Sequence, residues 1–306
     1  MNKKTKSKRH RVFRENVTAY LFLSPTLIFY TVFTGIPLLM TIFILSFSDF
    51  SLLKPIEFIG LTNFRQLFDD PDFRTVMLNT LKFVLIIAPV HIIGGLILAI
   101  AVNSIKSRFF QGVYRILFYF PLVVTTSAIV IVWGYLYDYE FGVFNWLCGA
   151  LGMNRINWLG DSKWSLLAIA IFSAWKFIGN AFLYYFIGLQ NIPDVYMEAA
   201  KVDGATKWQT LIHITLPLSK PIITYTLLTS FMGPWVDYIF AKVIMGNDTQ
   251  YYTIAIGLWS LLEQEQIEYH YTEFFAGCVM ISIPIAILFL LTQKYYVEGV
   301  SGAVKG

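Results

Sequence analysis

The sequence predicts an all-α membrane protein that crosses the bilayer six times, with both termini on the cytoplasmic side. Three observations predict it. Of 306 residues, 57% are hydrophobic and only 14% are charged, well below the roughly 25% of ordinary soluble domains. The apolar residues gather into six stretches, each long enough for a span of about 20 residues. Lys and Arg then alternate across the segments between them: with the N-terminal tail inside, the inside segments hold 15 Lys and Arg against six outside, while the acids run five against 13. That is the bias expected of positive-inside topology. The net charge of +4 therefore resolves into +10 inside, −7 outside and +1 within the helices, and describes how the chain sits in a membrane.

Residues 1–16 form a basic tail with seven cations, Lys3, Lys4, Lys6, Lys8, Arg9, Arg11 and Arg14. It reads as a topogenic anchor beside anionic membrane lipid, ahead of any contact with nucleic acid. Residues 17–72 hold the first span, about Val17 to Phe47, and an extracytoplasmic segment. This apolar run is too long for a signal-peptide core and lacks a small-residue cleavage site, so it is expected to be retained. Residues 73–294 form the core, with spans of about Val76–Val102, Gly112–Tyr137, Trp164–Leu189, Pro221–Met245 and Glu273–Gln293; residues 295–306 are a cytoplasmic tail. All six read as helices, because a backbone facing lipid must satisfy its own hydrogen bonds. Five contain proline, at Pro25 and Pro37, Pro89, Pro121, Pro234 and Pro284. Kinks at these positions suit helices that line a cavity and move, although membrane helices also tolerate proline for packing alone.

Several chemistries are excluded. Two cysteines, Cys148 and Cys278, build no disulfide framework. The histidines His10, His91, His213 and His270 have no metal-ligand spacing. Neither a GxxxxGK[ST] phosphate loop nor a GxSxG elbow occurs. The chain is expected to bind no cofactor and to be no enzyme.

The stretch 191–220, between the fourth and fifth spans, is the most informative. Pro193 and Asp194 start a helix through Val202. Asp203-Gly204 permits a tight turn, with Gly204 suited to positive φ. Thr206 caps a second short helix through about Ile214, and Pro217 and Pro221 lead into the fifth span. Ala199 and Ala200 leave one side of this hairpin low, and Glu198 offers an anchor to a basic group.

Glu198-Ala199-Ala200, Asp203-Gly204-Ala205 and Leu216-Pro217 resemble, in order and spacing, the EAA loop of binding-protein-dependent ABC importer permeases. The pattern departs at Leu211, where that family often has an aromatic residue. Phe58 to Phe64, Gly233-Pro234-Trp235 with Asp237, and the tail Tyr296 to Gly306 are similar to carbohydrate permeases of the maltose and multiple-sugar type. The resemblance implies a type I ABC importer permease fold in a bacterial cell membrane. It implies a heterodimer with a second homologous permease, a dimer of ATPase subunits that uses ATP and Mg, and an extracytoplasmic solute-binding protein that delivers a sugar or oligosaccharide. The loop would couple the permease to the ATPase. A glycerophosphodiester, polyamine or phosphate permease is the alternative of the same class. A secondary transporter would need inverted repeats and a coupling-ion site, and neither is seen.

Polar residues inside spans mark a route or a helix contact. Ser173, Lys176, Asn180 and Tyr184 share one face of the fourth span, and Thr226, Ser230, Gly233 and Asp237 share one face of the fifth. The two faces are expected to line the substrate path, with Trp175, Trp235 and Tyr238 as nearby aromatic surface for a sugar. A Lys176–Asp237 pair is the structural alternative. His91 reads as a packing residue, and Lys82 as a snorkelling one. The outside acids Asp69, Asp70, Asp72, Glu263, Glu265 and Glu268 form a solvated negative surface that could also meet a binding protein.

Overall fold

The computed structural model describes residues 3–51, 54–238, 242, 252–263 and 267–304. The chain runs α1 (Lys3–Tyr30), a π-helical turn (Thr31–Gly35) and α2 (Ile36–Ser46), then an antiparallel hairpin of β1 (Ser48–Ser51) and β2 (Lys54–Phe58). Next come α3 (Thr62–Asp69), α4 (Pro71–Pro89), a π turn (Val90–Gly94), α5 (Gly95–Asn103), α6 (Arg108–Val123), α7 (Thr126–Leu136), α8 (Val143–Ala150) and α9 (Ser162–Gln190). The hairpin 191–220 holds α10 (Asp194–Val202), α11 (Lys207–Thr210), a π turn (Leu211–Thr215) and α12 (Leu216–Leu218). The chain closes with α13 (Lys220–Val236), α14 (Ile254–Leu262) and α15 (Ile267–Val304).

Four stretches are long and apolar enough to cross a membrane as continuous helices: Asn16–Ser46, Pro71–Asn103, Lys163–Gln190 and His270–Tyr295. They coincide with the expected first, second, fourth and sixth spans. The third and fifth differ from expectation. The third breaks into α6 and α7, which meet at 95°. Residues 123–126 read Val-Val-Thr-Thr, four β-branched residues that lose rotamer freedom in a helix, and Pro121 has already removed a donor from the preceding turn. Val124 and Thr125 accordingly adopt extended backbone, with ψ of 137° and 136°. The fifth span is shorter than expected. It bends 71° from the α11–α12 segment and ends at Val236, two residues past Pro234, and Asp237 is already extended. From Ile239 its expected continuation to Met245, Lys242 apart, lies outside the described residues, as do Glu265 and the last two residues of the tail.

Each π turn lies beside a proline. For Pro37 and Pro217, the carbonyl four residues back that the ring would strike belongs to Phe33 or His213, inside the widened turn. The third turn follows directly on Pro89. Widening one turn keeps these helices continuous where proline alone would break them.

Two buried clusters hold the helices together. The larger joins α3, α4, α7, α9, α14 and α15 through Phe73, Phe83, Trp133, Phe172, Ile254 and Leu258. The smaller joins α5 and α9 through Ala99, Val102, Ala181, Phe182 and Phe186. Large apolar side chains remain exposed over α1, α2, α6 and the middle of α15, including Phe22 at 78% and Leu291 at 68%. None of the apolar window within the first span is buried. A fold with water as its solvent would not leave this surface open.

Candidate functional site

Between the two clusters lies a cavity of about 350 Å3, a volume within the roughly 300–1,000 Å3 of small-molecule sites. Phe83, Ile87 and His91 line it from α4 and its π turn, Ser173, Phe177, Asn180 and Ala181 from α9, and Thr229, Ser230, Gly233, Pro234, Val236 and Asp237 from the end of α13. The structure thus brings together Asn180, Ser230, Gly233 and Asp237 of the expected path.

Other expected path residues sit elsewhere. Lys176 is 2% exposed and makes its hydrogen bonds at the end of α6. Its Nζ donates to the carbonyls of Pro121 at 3.2 Å and Val124 at 2.8 Å. These are orphan acceptors at the C-terminal end of α6, where the helix dipole favours a cation. Lys176 therefore closes the broken third span. Tyr184 lies one turn beyond Asn180 towards the hairpin, where its hydroxyl meets that of Tyr225 at 3.3 Å and the rings stand edge to face at 4.7 Å. This pair bridges α9 and α13 on the hairpin side of the cavity. Trp235 is 1% exposed and packs on Phe231 in the larger cluster, and Trp175 packs on Trp133. Neither lines the cavity; Phe83 and Phe177 supply its aromatic surface. His91, read from sequence as a packing residue, is a lining residue.

The face opposite the hairpin carries a carboxylate hub. Glu263 accepts from Tyr238 Oη at 3.3 Å and Trp259 Nε1 at 3.0 Å, and pairs with Lys242 at 3.6 Å. A 3.1 Å contact with the Tyr252 hydroxyl, ahead of the Glu263 carboxylate, holds Lys242 above the ordinary lysine range. Thr80 on α4 accepts from the Ile254 amide at 2.8 Å and so caps the start of α14. No group of three or more metal-ligating side chains occurs among the described residues.

The hairpin 191–220 forms by local rules. The α10 helix ends in a Schellman motif: the Ala205 amide donates to Ala200 O at 2.9 Å and the Gly204 amide to Lys201 O at 3.2 Å. Gly204 has φ +73°, in the left-handed region. Thr206 and Gln209 form a reciprocal capping box at the start of α11. Glu198, Ala199, Asp203 and Pro217 are exposed, Ala205 and Leu216 are half-buried and Ala200 is buried. A shallow hollow of about 350 Å3 opens over Ala200, Asp203, Gly204, Ala205 and His213. Val195, Val202, Trp208 and Ile212 stand out around it, Val202 at 87% exposure.

Helices apolar on their outer faces, around a largely apolar cavity that a few polar side chains enter, define an integral membrane subunit. The chain belongs to the family described as "Binding-protein-dependent transport system inner membrane component", which it matches over residues 91–302. It is thus a multi-pass permease subunit of an ABC importer in a bacterial membrane, and not itself an enzyme. It is 31% identical to the probable ABC transporter permease protein YurN of Bacillus subtilis, over 76% of this chain and 80% of that one. Over 97% of this chain and 93% of the relative, it is 28% identical to the arabinooligosaccharides transport system permease protein AraP of Bacillus subtilis. The trehalose/maltose transport system permease protein MalF of Thermococcus litoralis is 32% identical, over 80% and 83%. A bacterial ABC transporter involved in the import of the acidic polysaccharide alginate shares the fold, with a TM-score of 0.73 at 20% identity, covering 95% of this chain and 99% of that one.

Proposed function

We propose that this chain is one of two homologous permease subunits of a sugar or oligosaccharide importer, and that it moves its solute by alternating access through the cavity between α4, α9 and α13. One observation carries the reading. The two helices that supply most of the cavity wall, α9 and α13, are also the two that enter and leave the hairpin 191–220. A displacement of the hairpin is therefore transmitted directly to both walls. The hairpin faces the cytoplasm and docks on an ATPase dimer through Glu198, Ala199, Ala200, Asp203, Gly204 and Ala205, with Leu216 and Pro217 fixing the turn into α13. ATP and Mg act at that dimer and not on this chain. An extracytoplasmic binding protein delivers the solute to the opposite face. The carbohydrate assignment is supported by the relatives AraP and MalF, whose names specify arabinooligosaccharides and trehalose/maltose.

Each residue then has a distinct part. Asn180, Ser230 and Asp237 present hydrogen-bonding groups to the solute, and Gly233 keeps the wall open. The Tyr184–Tyr225 contact closes the cavity towards the hairpin and must part for release. Lys176 and Trp235 hold the walls. The test is ATP-driven uptake into proteoliposomes holding this chain, the second permease and the ATPase, with the binding protein added. Asn180→Leu and Asp237→Asn are expected to lower uptake several-fold with the complex still assembled. Uptake unchanged in both would remove these residues from the route.

A further inference from the structure

Among the nine residues of α14, Trp259 alone is exposed, at 46%. The helix beneath it is clamped. A Cβ on Gly257 would lie 2.9 Å from the Val76 side chain on α4, and a Cβ on Gly277 of α15 would strike the Leu258 side chain. The indole is pinned as well. Its Nε1 donates to Glu263 Oε1 at 3.0 Å, and its ring packs on Tyr238 at 5.5 Å between centroids, tilted by 53°. Tyr238 donates to the same carboxylate oxygen at 3.3 Å, while Lys242 balances the charge 3.6 Å from Oε2. This platform sits beside the cavity. Tyr238 directly follows Asp237, a lining residue. Thr253, the N-cap residue of α14, donates from Oγ1 to the Asp237 backbone carbonyl at 3.4 Å, so the helix that carries Trp259 starts from the cavity rim.

An exposed tryptophan held at its edge offers a ring surface and loses little rotamer freedom when a ligand covers it. A sugar ring is complementary to it: one face is a sheet of C–H bonds, and the rim carries hydroxyls. Tyr238 and Trp259 both donate to Glu263 Oε1, and the Glu263 side chain is 47% exposed, so Oε2 keeps acceptor capacity for a hydroxyl. We infer that Trp259 and Glu263 form an outer saccharide subsite: a sugar ring stacks on the indole and the carboxylate accepts one of its hydroxyls, before the solute enters the cavity between α4, α9 and α13. Glu263 also acts as a positioning residue, because it fixes the indole. The inference rests on the importer reading above and adds to it a landing point for solute released by the binding protein.

The test uses the complex of both permeases and the ATPase in nanodiscs. Saturation-transfer NMR without the binding protein, with maltotriose and arabinotriose as probes, reads saccharide affinity. Biolayer interferometry on the same nanodiscs reads the affinity of the binding protein. The wild type is expected to bind at least one trisaccharide, and Trp259→Leu to bind it about tenfold more weakly. Trp259→Phe, which keeps a ring face, recovers part of the loss. Glu263→Ala also weakens binding, and Glu263→Gln, which can still accept from the indole, recovers part. Affinity for the binding protein stays at the wild-type value throughout. The inference is overturned by no trisaccharide binding to the wild type, by unchanged saccharide affinity in Trp259→Leu, or by a drop in binding-protein affinity in that variant, which would make the platform a docking contact. Where Trp259→Leu prevents assembly, Trp259→Phe decides, and wild-type saccharide affinity there overturns the subsite. ATP-driven uptake separates the two readings: saccharide import that is equal in wild type and Trp259→Leu sinks the subsite alone, whereas no saccharide import by the wild type sinks the importer reading.

Discussion

Gly204 shows how much one backbone angle can carry. Nothing lies within 4 Å of where its Cβ would be, so space is not what excludes a side chain. The φ of +73° is. A β-branched residue held there costs about 1–2 kcal/mol, and it would release that strain by opening the Schellman turn that spaces α10 from α11. Gly204→Val is therefore expected to leave ATP hydrolysis running while uptake falls, whereas Gly204→Asn, which tolerates this region, stays coupled. Parallel assays of phosphate release and solute uptake in proteoliposomes distinguish the two, and tight coupling in Gly204→Val would count against the hairpin's role. Lys176 makes the complementary case, a buried charge used for structure. In Lys176→Met, two carbonyls at the end of α6 lose their donor, and an unsatisfied buried polar group costs about 1–3 kcal/mol. The thermal unfolding midpoint of the detergent-solubilised complex should drop, with the affinity for solute unchanged. A variant with normal stability and altered solute affinity would place Lys176 in the route instead.

Among elements, α9 is the one the others are measured against. It touches α5 at Gly95 and α6 at Gly179, where a Cβ would strike the Phe118 carbonyl. Small residues let membrane helices approach until their backbones pack, and this packing replaces the hydrophobic drive that lipid cannot supply. Gly95→Val and Gly179→Val are expected to lower the yield of assembled complex sharply, since overpacking costs about 1–3 kcal/mol even where neighbours can yield, and backbone atoms cannot. Gly134, with no atom within 4 Å of a Cβ, is the control. Fluorescence-detected size exclusion of Gly95→Val, Gly179→Val and Gly134→Ala reads the difference. The element scale also explains where sequence reasoning fell short. Hydropathy averages over about 19 residues, so it passes across the Val-Val-Thr-Thr break at 123–126, whose signal is the run of β-branched residues. The fifth span is over-extended for the same reason, since apolar residues continue past Pro234.

At the scale of the whole molecule, charge sets orientation and packing sets function. The +10 to −7 asymmetry predicts which face meets the cytoplasm. In a background of Cys148→Ser and Cys278→Ser, a cysteine at exposed Asp138 should react with a membrane-impermeant maleimide in spheroplasts of intact cells, and one at exposed Lys201 only after lysis. The reverse pattern would invert the topology and with it the role of the hairpin. The apolar surface left open on α1, α2 and α6 belongs to the same scale, because lipid is an environment that tolerates it.

The sequence by itself determined the solvent, four continuous spans and the hairpin. Each of these depends on local composition or on neighbours within a few residues: apolar length, Gly204 in its turn, Thr206 in its cap. Only the tertiary structure decided which polar residues share the cavity. Lys176 and Asn180 lie one helical turn apart on α9, yet one serves the end of α6 and the other faces the cavity. The difference is where α6 breaks. His91 joins them because Gly95 draws α5 onto α9. These are contacts between residues 52 to 86 positions apart, and no pattern along one helix encodes which neighbouring helix a side chain will meet.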